Sequence, residues 1–256
     1  MFNLISMKNL LYLLLVGIFI SCDSENANDC FQSSGNLVEK EVVVEPFTKI
    51  RLEPGAALLL KQGNEQKVVI KTGENLLNDV LVKVEDGILI ARDNNDCNLF
   101  RDYGVTQIIV TAPDITEIRN ASSFNAESDG VLKYDKLLLV SNTNVDVKNL
   151  KKSGDFILNL DCTNLLIRAN GQSVFDLKGS ATILDIRFED ERPRLEGREL
   201  IVQDFVAFHR AANKMIVNPQ QSINAILTGT GDIISVNRPP VVEVEERFTG
   251  KLIFED

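Results

Sequence analysis

From Val42 onward, the chain is a succession of short apolar runs that are rich in β-branched residues. Each run is bounded by Gly, Asn, Asp, Ser or Pro, which are the residues that build turns. No long segment keeps a helical period with caps, and residues 74–79 would form one helical turn at most. The pattern therefore predicts an all-β chain, with strands that include residues 68–70, 108–110, 137–140, 165–167, 200–202 and 225–227.

The middle of the chain repeats one unit, an apolar run followed by a polar turn. Turns of this kind lie at residues 120–122, 141–144, 169–172 and 228–231. Short strands that bury their apolar sides against the next unit form a β-solenoid, and small polar residues at the corners let the units stack closely. A β-sandwich would need a similar number of strands and stays open as the alternative.

The N-terminus has the pattern of a secretory signal peptide. Lys8 supplies the positive charge, and residues 10–20 are an apolar run of eleven residues. A bilayer-spanning helix needs about 20 residues, so this run is too short to cross and instead suits a signal peptide. We expect residues 1–21 to be removed on export.

The signal segment ends in Ser21-Cys22, which resembles the lipobox of bacterial lipoproteins, although Phe19 stands where Leu is usual. The resemblance implies that Cys22 becomes the acylated N-terminus, and two or more acyl chains anchor a protein firmly. Residues 22–29 form a polar, acidic tether that resembles the surface-export signals of Bacteroidetes lipoproteins. The remaining residues, 30–256, are expected to form one β-solenoid domain.

The charge balance excludes some partners. The chain of 256 residues carries 27 Lys and Arg against 37 Asp and Glu, a formal net charge of -10. An acidic surface repels phosphate backbones, so nucleic acid is not an expected partner. The acyl anchor, rather than charge, is the expected contact with the membrane.

Several short motifs, in their order and spacing, resemble the head GIN domain family of auto-transporter adhesin type. They are residues 29–31, 46–50, 73–77, 96–98, 112–113, 227–233, 238–240 and 250–253. The resemblance covers nearly the whole expected mature chain, but the Ser-Gly turns of the family are Asn- and Ser-rich here. It implies a single-stranded, right-handed β-helix in a cell-envelope protein, and it implies no catalytic residue, metal or cofactor.

Cys30 and Cys97 fall within the family-like motifs and are the expected disulfide pair, because an exported protein folds in an oxidising compartment. On the chain-entropy model, closing the loop between them would stabilise the fold by roughly 4 kcal/mol. Cys162 lies in an alternating apolar stretch, and we expect it to be a small buried thiol.

Other residues with reactive or metal-binding chemistry do not form a recognisable constellation. A lone histidine, His209, is expected to be a surface or hydrogen-bonded residue rather than a catalytic base. Residues 93–96 offer oxygen ligands but lack the rest of a calcium loop, so a solvated turn is the preferred interpretation. The acidic clusters at residues 189–191 and 243–246 are interpreted as polar faces of strands and turns.

The sequence thus favours an exported outer-membrane lipoprotein with a non-catalytic role in binding, adhesion or envelope structure. Glycans or envelope proteins are its expected partners, since the long faces of solenoids suit extended ligands. The alternative is a carbohydrate-active enzyme on a β-helix, which would need carboxylates that converge in a groove.

Overall fold

A computed structural model describes residues 32–95, 97, 102 and 104–255. Within these ranges the chain forms 17 strands and one short 3₁₀ helix, η1 (Leu77–Asp79). The strands are β1 (Leu37–Val42), β2 (Lys49–Leu52), β3 (Ala57–Gln62), β4 (Lys67–Gly73), β5 (Val80–Glu85), β6 (Ile88–Asp93), β7 (Gln107–Ala112), β8 (Glu117–Asn120), β9 (Ala126–Leu132), β10 (Lys136–Ser141), β11 (Phe156–Ala169), β12 (Val174–Phe188), β13 (Arg194–His209), β14 (Met215–Leu227), β15 (Ile233–Ser235), β16 (Val241–Glu246) and β17 (Leu252–Phe254).

The prediction of an all-β chain is confirmed. The single 3₁₀ turn lies inside the segment where the sequence allows one helical turn at most. None of the helical structure in the described ranges is long and apolar enough to cross a membrane. The expected signal peptide and tether, residues 1–21 and 22–29, lie outside the described residues, so the division of the chain stays a prediction.

Most strands pair in parallel, and the pairings form two stacks. Stack A runs in the order β6, β2, β8, β10, the C-terminal halves of β11 to β14, and β16. Stack B runs in the order β7, β3, β9, the N-terminal halves of β11 to β14, β15 and β17. Because β11 to β14 each pass from stack B into stack A, all the strands belong to one continuous sheet.

The pairing register repeats along the chain. In stack B, equivalent positions on successive strands from β11 onward lie 18 to 20 residues apart. Their side chains point to the same side of the stack, because side chains alternate along each strand. One such inward row contains Phe156, Phe175, Leu195, Met215, Ile233 and Leu252.

The interior between the stacks is apolar. The rings of Phe156 and Phe175 are parallel with centroids 4.8 Å apart, and Phe188 lies 5.7 Å from Phe175. The alternation of β12 shows why the sequence folds this way, since Phe175 and Leu177 are buried while Asp176 and Lys178 face outward. Burial of these apolar side chains is the main stabilising contribution, at about 25 cal/mol for each Å² removed from water.

The polar turns predicted from the sequence lie where the chain leaves stack A for stack B. Asn120 is buried there, donates its side-chain amide to the Phe124 carbonyl at 2.9 Å and accepts the Ser122 N–H at 3.0 Å. In the next turns, the hydroxyls of Ser141 and Ser173 hydrogen-bond to each other at 2.7 Å. These bonds satisfy buried polar groups that would otherwise destabilise the fold.

The two ends of the stacks differ. At the N-terminal end, β5 pairs antiparallel with β6, and β4 pairs antiparallel with both β7 and β1. These antiparallel strands cover the first parallel strands of each stack. At the other end, β16 and β17 add the last parallel pairings.

Candidate functional site

The thiol of Cys162 is buried, as the sequence predicts, with 6% of the residue exposed. It lies in β11 where that strand passes from stack B to stack A. Burial raises the pKa of this thiol to about 11, and a hydrogen bond from the Tyr134 backbone only partly opposes the shift. Because the thiolate is the nucleophilic form, Cys162 is unreactive at neutral pH.

His209 is fully buried at the end of β13, so the part of the expectation that places it on the surface is wrong. Its ring lies 6.0 Å from the ring of Phe188, edge to face. Neither ring nitrogen makes a hydrogen bond of good geometry with the described part of the chain. Burial lowers the pKa of His209 to about 4, and the nearby backbone of Asn213 only partly offsets this. The residue is therefore a neutral core side chain.

The acidic turn that begins at Asp93 is held by its own hydrogen bonds. One oxygen of Asp93 accepts the Asn95 N–H at 2.9 Å, and the other accepts the Thr106 hydroxyl at 2.6 Å. Asp96 lies outside the described residues. Across the described ranges, no three His, Cys, Asp or Glu side chains come together in a way that could hold a metal ion.

The two other acidic clusters pair with neighbouring cations on the surface. Glu191 lies 2.5 Å from the Lys152 ammonium, Glu245 lies 2.5 Å from Arg247, and Glu246 lies 2.8 Å from Lys251. Ion pairs at this exposure contribute about 1 kcal/mol or less to stability. These carboxylates do not converge in a groove as glycosidase carboxylates would.

The cysteines assigned to the anchor and the disulfide lie largely beyond the structural description. Cys22 and Cys30 fall outside the described residues, whereas Cys97 is described and half-buried. Acylation of Cys22 and the bridge between Cys30 and Cys97 therefore stay predictions.

The outer side of stack A carries a row of arginines that the sequence analysis missed. The four residues lie at equivalent positions of β2, β8, β11 and β12, and the row is defined as Arg51, Arg119, Arg168 and Arg187. Val140 of β10 stands between the two pairs, in register with both Arg119 and Arg168. Neighbouring strands are about 4.8 Å apart, so the arginine row extends over roughly 19 Å.

The sequence did contain a signal for this row. The dipeptide Ile-Arg occurs four times in the chain, and each time the arginine is a member of the row. In every case the isoleucine before the outward arginine points into the interior and is at most 1% exposed: Ile50, Ile118, Ile167 and Ile186. A search for repeated dipeptides, rather than for catalytic motifs, would have found it.

The first half of the row has an excess of partly buried positive charge. Glu53 lies 2.9 Å from Arg51 and 3.8 Å from Arg92, so its carboxylate forms ion pairs with two guanidinium groups. Glu117 lies 3.6 Å from Arg119 and 3.9 Å from the Lys49 ammonium. Four cations thus share two carboxylates. The side chains of the three arginines are between 13% and 21% exposed, so water screens this excess only in part.

The electrostatics of Arg119 reflect this environment. Burial lowers its pKa, the neighbouring Arg51 lowers it further, and Glu117 only partly compensates. One guanidinium nitrogen of Arg119 donates to the side-chain oxygen of Asn142 at 2.8 Å. The Nε atoms of Arg51 and Arg92 are buried without a hydrogen-bond partner in the described residues. The group therefore has unused donors and uncompensated charge.

The second half of the row is more open. Arg168 pairs with Asp185 at 3.0 Å, whereas Arg187 is exposed and forms no ion pair within the described ranges. The same row continues into the half-exposed apolar residues Phe208 and Ile226. Beside it lies a shallow depression of about 270 Å³, lined by Lys136, Asn164, Leu165, Leu166, Ile183 and Asp185.

The chemistry of the arginine row is suited to binding an anion. Guanidinium groups are permanently charged and present several donors in a planar fork, which fits carboxylate and related anions. They do not exchange protons near neutral pH, so the arginine row supplies donors and positive charge for binding an anion.

Solved structures of low sequence identity have the same fold. A "putative adhesin" from Bacteroides fragilis is 18% identical, with a TM-score of 0.75 over 87% of this chain and 99% of that chain. A "putative adhesin" from Parabacteroides merdae is 17% identical, with a TM-score of 0.57 over 87% and 98%. A "Putative lipid binding protein" from Parabacteroides distasonis is 13% identical, with a TM-score of 0.59 over 87% and 98%.

Comparison with curated proteins gives no match. Comparison with family models gives a match over residues 46–239, which is most of the chain, to the family described as "Putative auto-transporter adhesin, head GIN domain". The resemblance found in the short sequence motifs is thereby confirmed. This chain belongs to the head GIN domain family of auto-transporter adhesin type.

Proposed function

We propose that this protein is a lipid-anchored, non-catalytic binding protein of the cell envelope that contacts its ligand with the outer face of stack A. The observation that carries the proposal is the arginine row, whose partly buried charge exceeds that of its own carboxylate partners. Membership in a family of adhesin type supports a binding role. The chemistry of the two buried candidates, Cys162 and His209, supports binding over catalysis.

We infer that the two stacks form a single-stranded, right-handed β-helix. Support comes from the parallel, in-register pairing of equivalent residues every 18 to 20 positions in stack B. One coil of the proposed helix is a stack A strand followed by a stack B strand. Such an architecture presents long, regular outer faces, which suits a ligand that extends over several coils.

The proposed location is the outer membrane, at its periplasmic or outer surface. A signal peptide at residues 1–21 would direct export, and acyl chains on Cys22 would anchor the mature protein. The structural neighbours include proteins of Bacteroides and Parabacteroides, and the acidic tether at residues 22–29 resembles surface-export signals of related bacteria. A bridge between Cys30 and Cys97 would form in the same compartment. Peptide mapping without reduction should find Cys22 acylated and the other two cysteines linked.

The binding role is tested with the purified protein on an immobilised panel of glycans and envelope fractions. We expect saturable binding to at least one component, with the component recovered chemically intact after elution. Catalysis would appear as shortened glycan chains in the eluate, and that outcome would replace the proposal with the carbohydrate-active enzyme. No retention on any component of the panel would contradict the binding role itself.

A further inference from the structure

We propose that the arginine row binds the carboxylate groups of an acidic polysaccharide. This inference rests on the proposed binding function and names the class of ligand. It is carried by the geometry of Arg51, Arg119, Arg168 and Arg187, which stand in one register on the outer side of four strands.

The uncompensated positive charge of the row favours the binding of an anion. Four cations, Lys49, Arg51, Arg92 and Arg119, share the carboxylates of Glu53 and Glu117. A partly buried charge without a full partner destabilises a protein, since the surrounding medium screens it poorly. An anion bound over these groups would complete the missing ion pairs.

The shape of the row favours a polymer over a single small anion. Arg51 and Arg119 lie on adjacent strands, as do Arg168 and Arg187, and one strand with the apolar Val140 separates the two pairs. Arg51, which begins the first pair, lies about 14 Å from Arg168, which begins the second. This spacing matches a chain that carries carboxylates at intervals. Guanidinium also prefers the planar, bidentate geometry that a carboxylate offers.

The neighbours of the row favour a saccharide among linear polyanions. The line of arginines continues into Phe208 and Ile226, both half-exposed. An aromatic ring and an aliphatic side chain can cover the apolar face of a sugar ring. Hydroxyl groups would find amide and carboxylate partners in Asn164 and Asp185, which line the depression beside the row. The net charge of -10 repels every linear polyanion alike, so the preference for a saccharide rests on these neighbouring side chains.

The test is electrophoresis of the purified protein through gels that contain polygalacturonate, a polysaccharide with one carboxylate on each sugar. We expect polygalacturonate to retard the protein, neutral dextran to leave it unaffected, and added salt to weaken the retardation. The double variant Arg168→Gln/Arg187→Gln should raise the apparent dissociation constant about tenfold or more, since hydrogen bonds to charged groups are strong. A second variant, Arg51→Gln/Arg119→Gln, should do the same.

The matched control is Lys67→Gln/Lys178→Gln. Both lysines are exposed and lie outside stack A, Lys67 on β4 and Lys178 on the stack B half of β12. They form surface ion pairs with Glu41 and Glu199. This variant changes the net charge by the same amount and should bind polygalacturonate like the parent. Melting temperatures of all three variants establish that each is folded before binding is compared.

Three outcomes would overturn the inference. The first is equal retardation of the control and both arginine variants, and the second is stronger retardation by polyglutamate than by polygalacturonate. The third is stronger retardation by single-stranded DNA. If glycan binding on the immobilised panel survives in both arginine variants, the inference fails while the proposed function stands. If the panel retains nothing, the proposed function fails as well.

Discussion

At the scale of single residues, His209 shows how position in a strand determines chemistry. The inward positions of β13 before it are Phe205 and Ala207, and the outward ones are Val206 and Phe208. The period of two therefore places the histidine ring in the interior, between Phe188 of β12 and Leu227 of β14. There the charged form is disfavoured, since burial removes water and the backbone of Asn213 compensates only in part.

This burial predicts a loss of stability in acid. Above pH 6.5 His209 is neutral in both the folded and unfolded states and contributes no pH dependence. Below pH 6.5 the unfolded chain takes up a proton, while the folded chain resists protonation until about pH 4. The free energy of unfolding should fall by roughly 3 kcal/mol across this window because of this one residue.

Urea denaturation at pH 7 and pH 5 measures the effect, and His209→Leu is the comparison variant. Leucine is the residue that occupies the equivalent position in β14. The parent should lose more stability than the variant between the two pH values, because the carboxylates titrate in both proteins. Identical losses would show that His209 does not resist protonation in the folded state.

The residue scale also marks where sequence reasoning succeeds and fails. The burial of Cys162 was predicted correctly because apolar and polar residues alternate clearly around it. The burial of His209 was not, because Phe208 beside it is the better core residue by hydrophobicity alone. Only the register with Phe188 and Leu227 decides which of the two points inward, and pairing register is not visible in one sequence.

At the scale of elements, the corners within the long strands were the hardest feature to predict. The sequence gives separate apolar runs, whereas β11 to β14 are continuous strands of 13 to 16 residues that belong to both stacks. Irregular pairing marks the change of direction, as between Asp176 and Gly179. A local break in pairing bends a strand without a loop, so turn-forming residues alone do not reveal it.

Gly179 provides a test of this corner. Its φ is +102°, and a Cβ atom there would lie 2.0 Å from the Leu160 carbonyl oxygen of the neighbouring strand β11. Gly179→Ala combines a left-handed backbone with a clash against rigid backbone, and it should lower the free energy of unfolding by about 3 kcal/mol or more. Thermal or urea denaturation measures the difference from the parent.

Gly130 is the matched control. Its φ is +87°, but a Cβ atom there would meet nothing within 4 Å. Gly130→Ala should therefore lose only the backbone contribution, about 1 kcal/mol. Equal losses in the two variants would mean that the close approach between β11 and β12 at Gly179 does not limit the residue at that position.

At the scale of the whole molecule, charge is distributed in a way that composition conceals. The net charge of -10 describes an acidic protein, yet cations gather along one row on stack A. The sequence predicts a long face for binding but does not locate it, since Arg51 and Arg187 are far apart in sequence and join one row only through three intervening strands. The class of fold followed from local patterns, while the candidate site depended on contacts that are far apart in sequence.

The proposed β-helix predicts that one whole coil can be removed. Phe175 and Leu195 occupy equivalent positions on adjacent strands, so deletion of residues 175–194 joins Val174 to Leu195 without changing the register. In a solenoid each coil contacts only its neighbours, and stability is close to a sum over coils and their interfaces. The shortened chain should therefore fold, with a β-type circular dichroism spectrum and a cooperative but lower melting transition.

Deletion of residues 175–184 is the control, because it removes half a coil. Val174 would then be joined directly to Asp185, a stack A residue. The apolar row that begins with Phe156 would lose its next member, Phe175. We expect this variant to be insoluble or to melt without cooperativity. If both deletions unfold alike, the coils do not stack as independent neighbours, and the β-helix proposal fails. If only the half-coil deletion unfolds, the regular outer face that carries the arginine row is a direct consequence of coil-by-coil stacking.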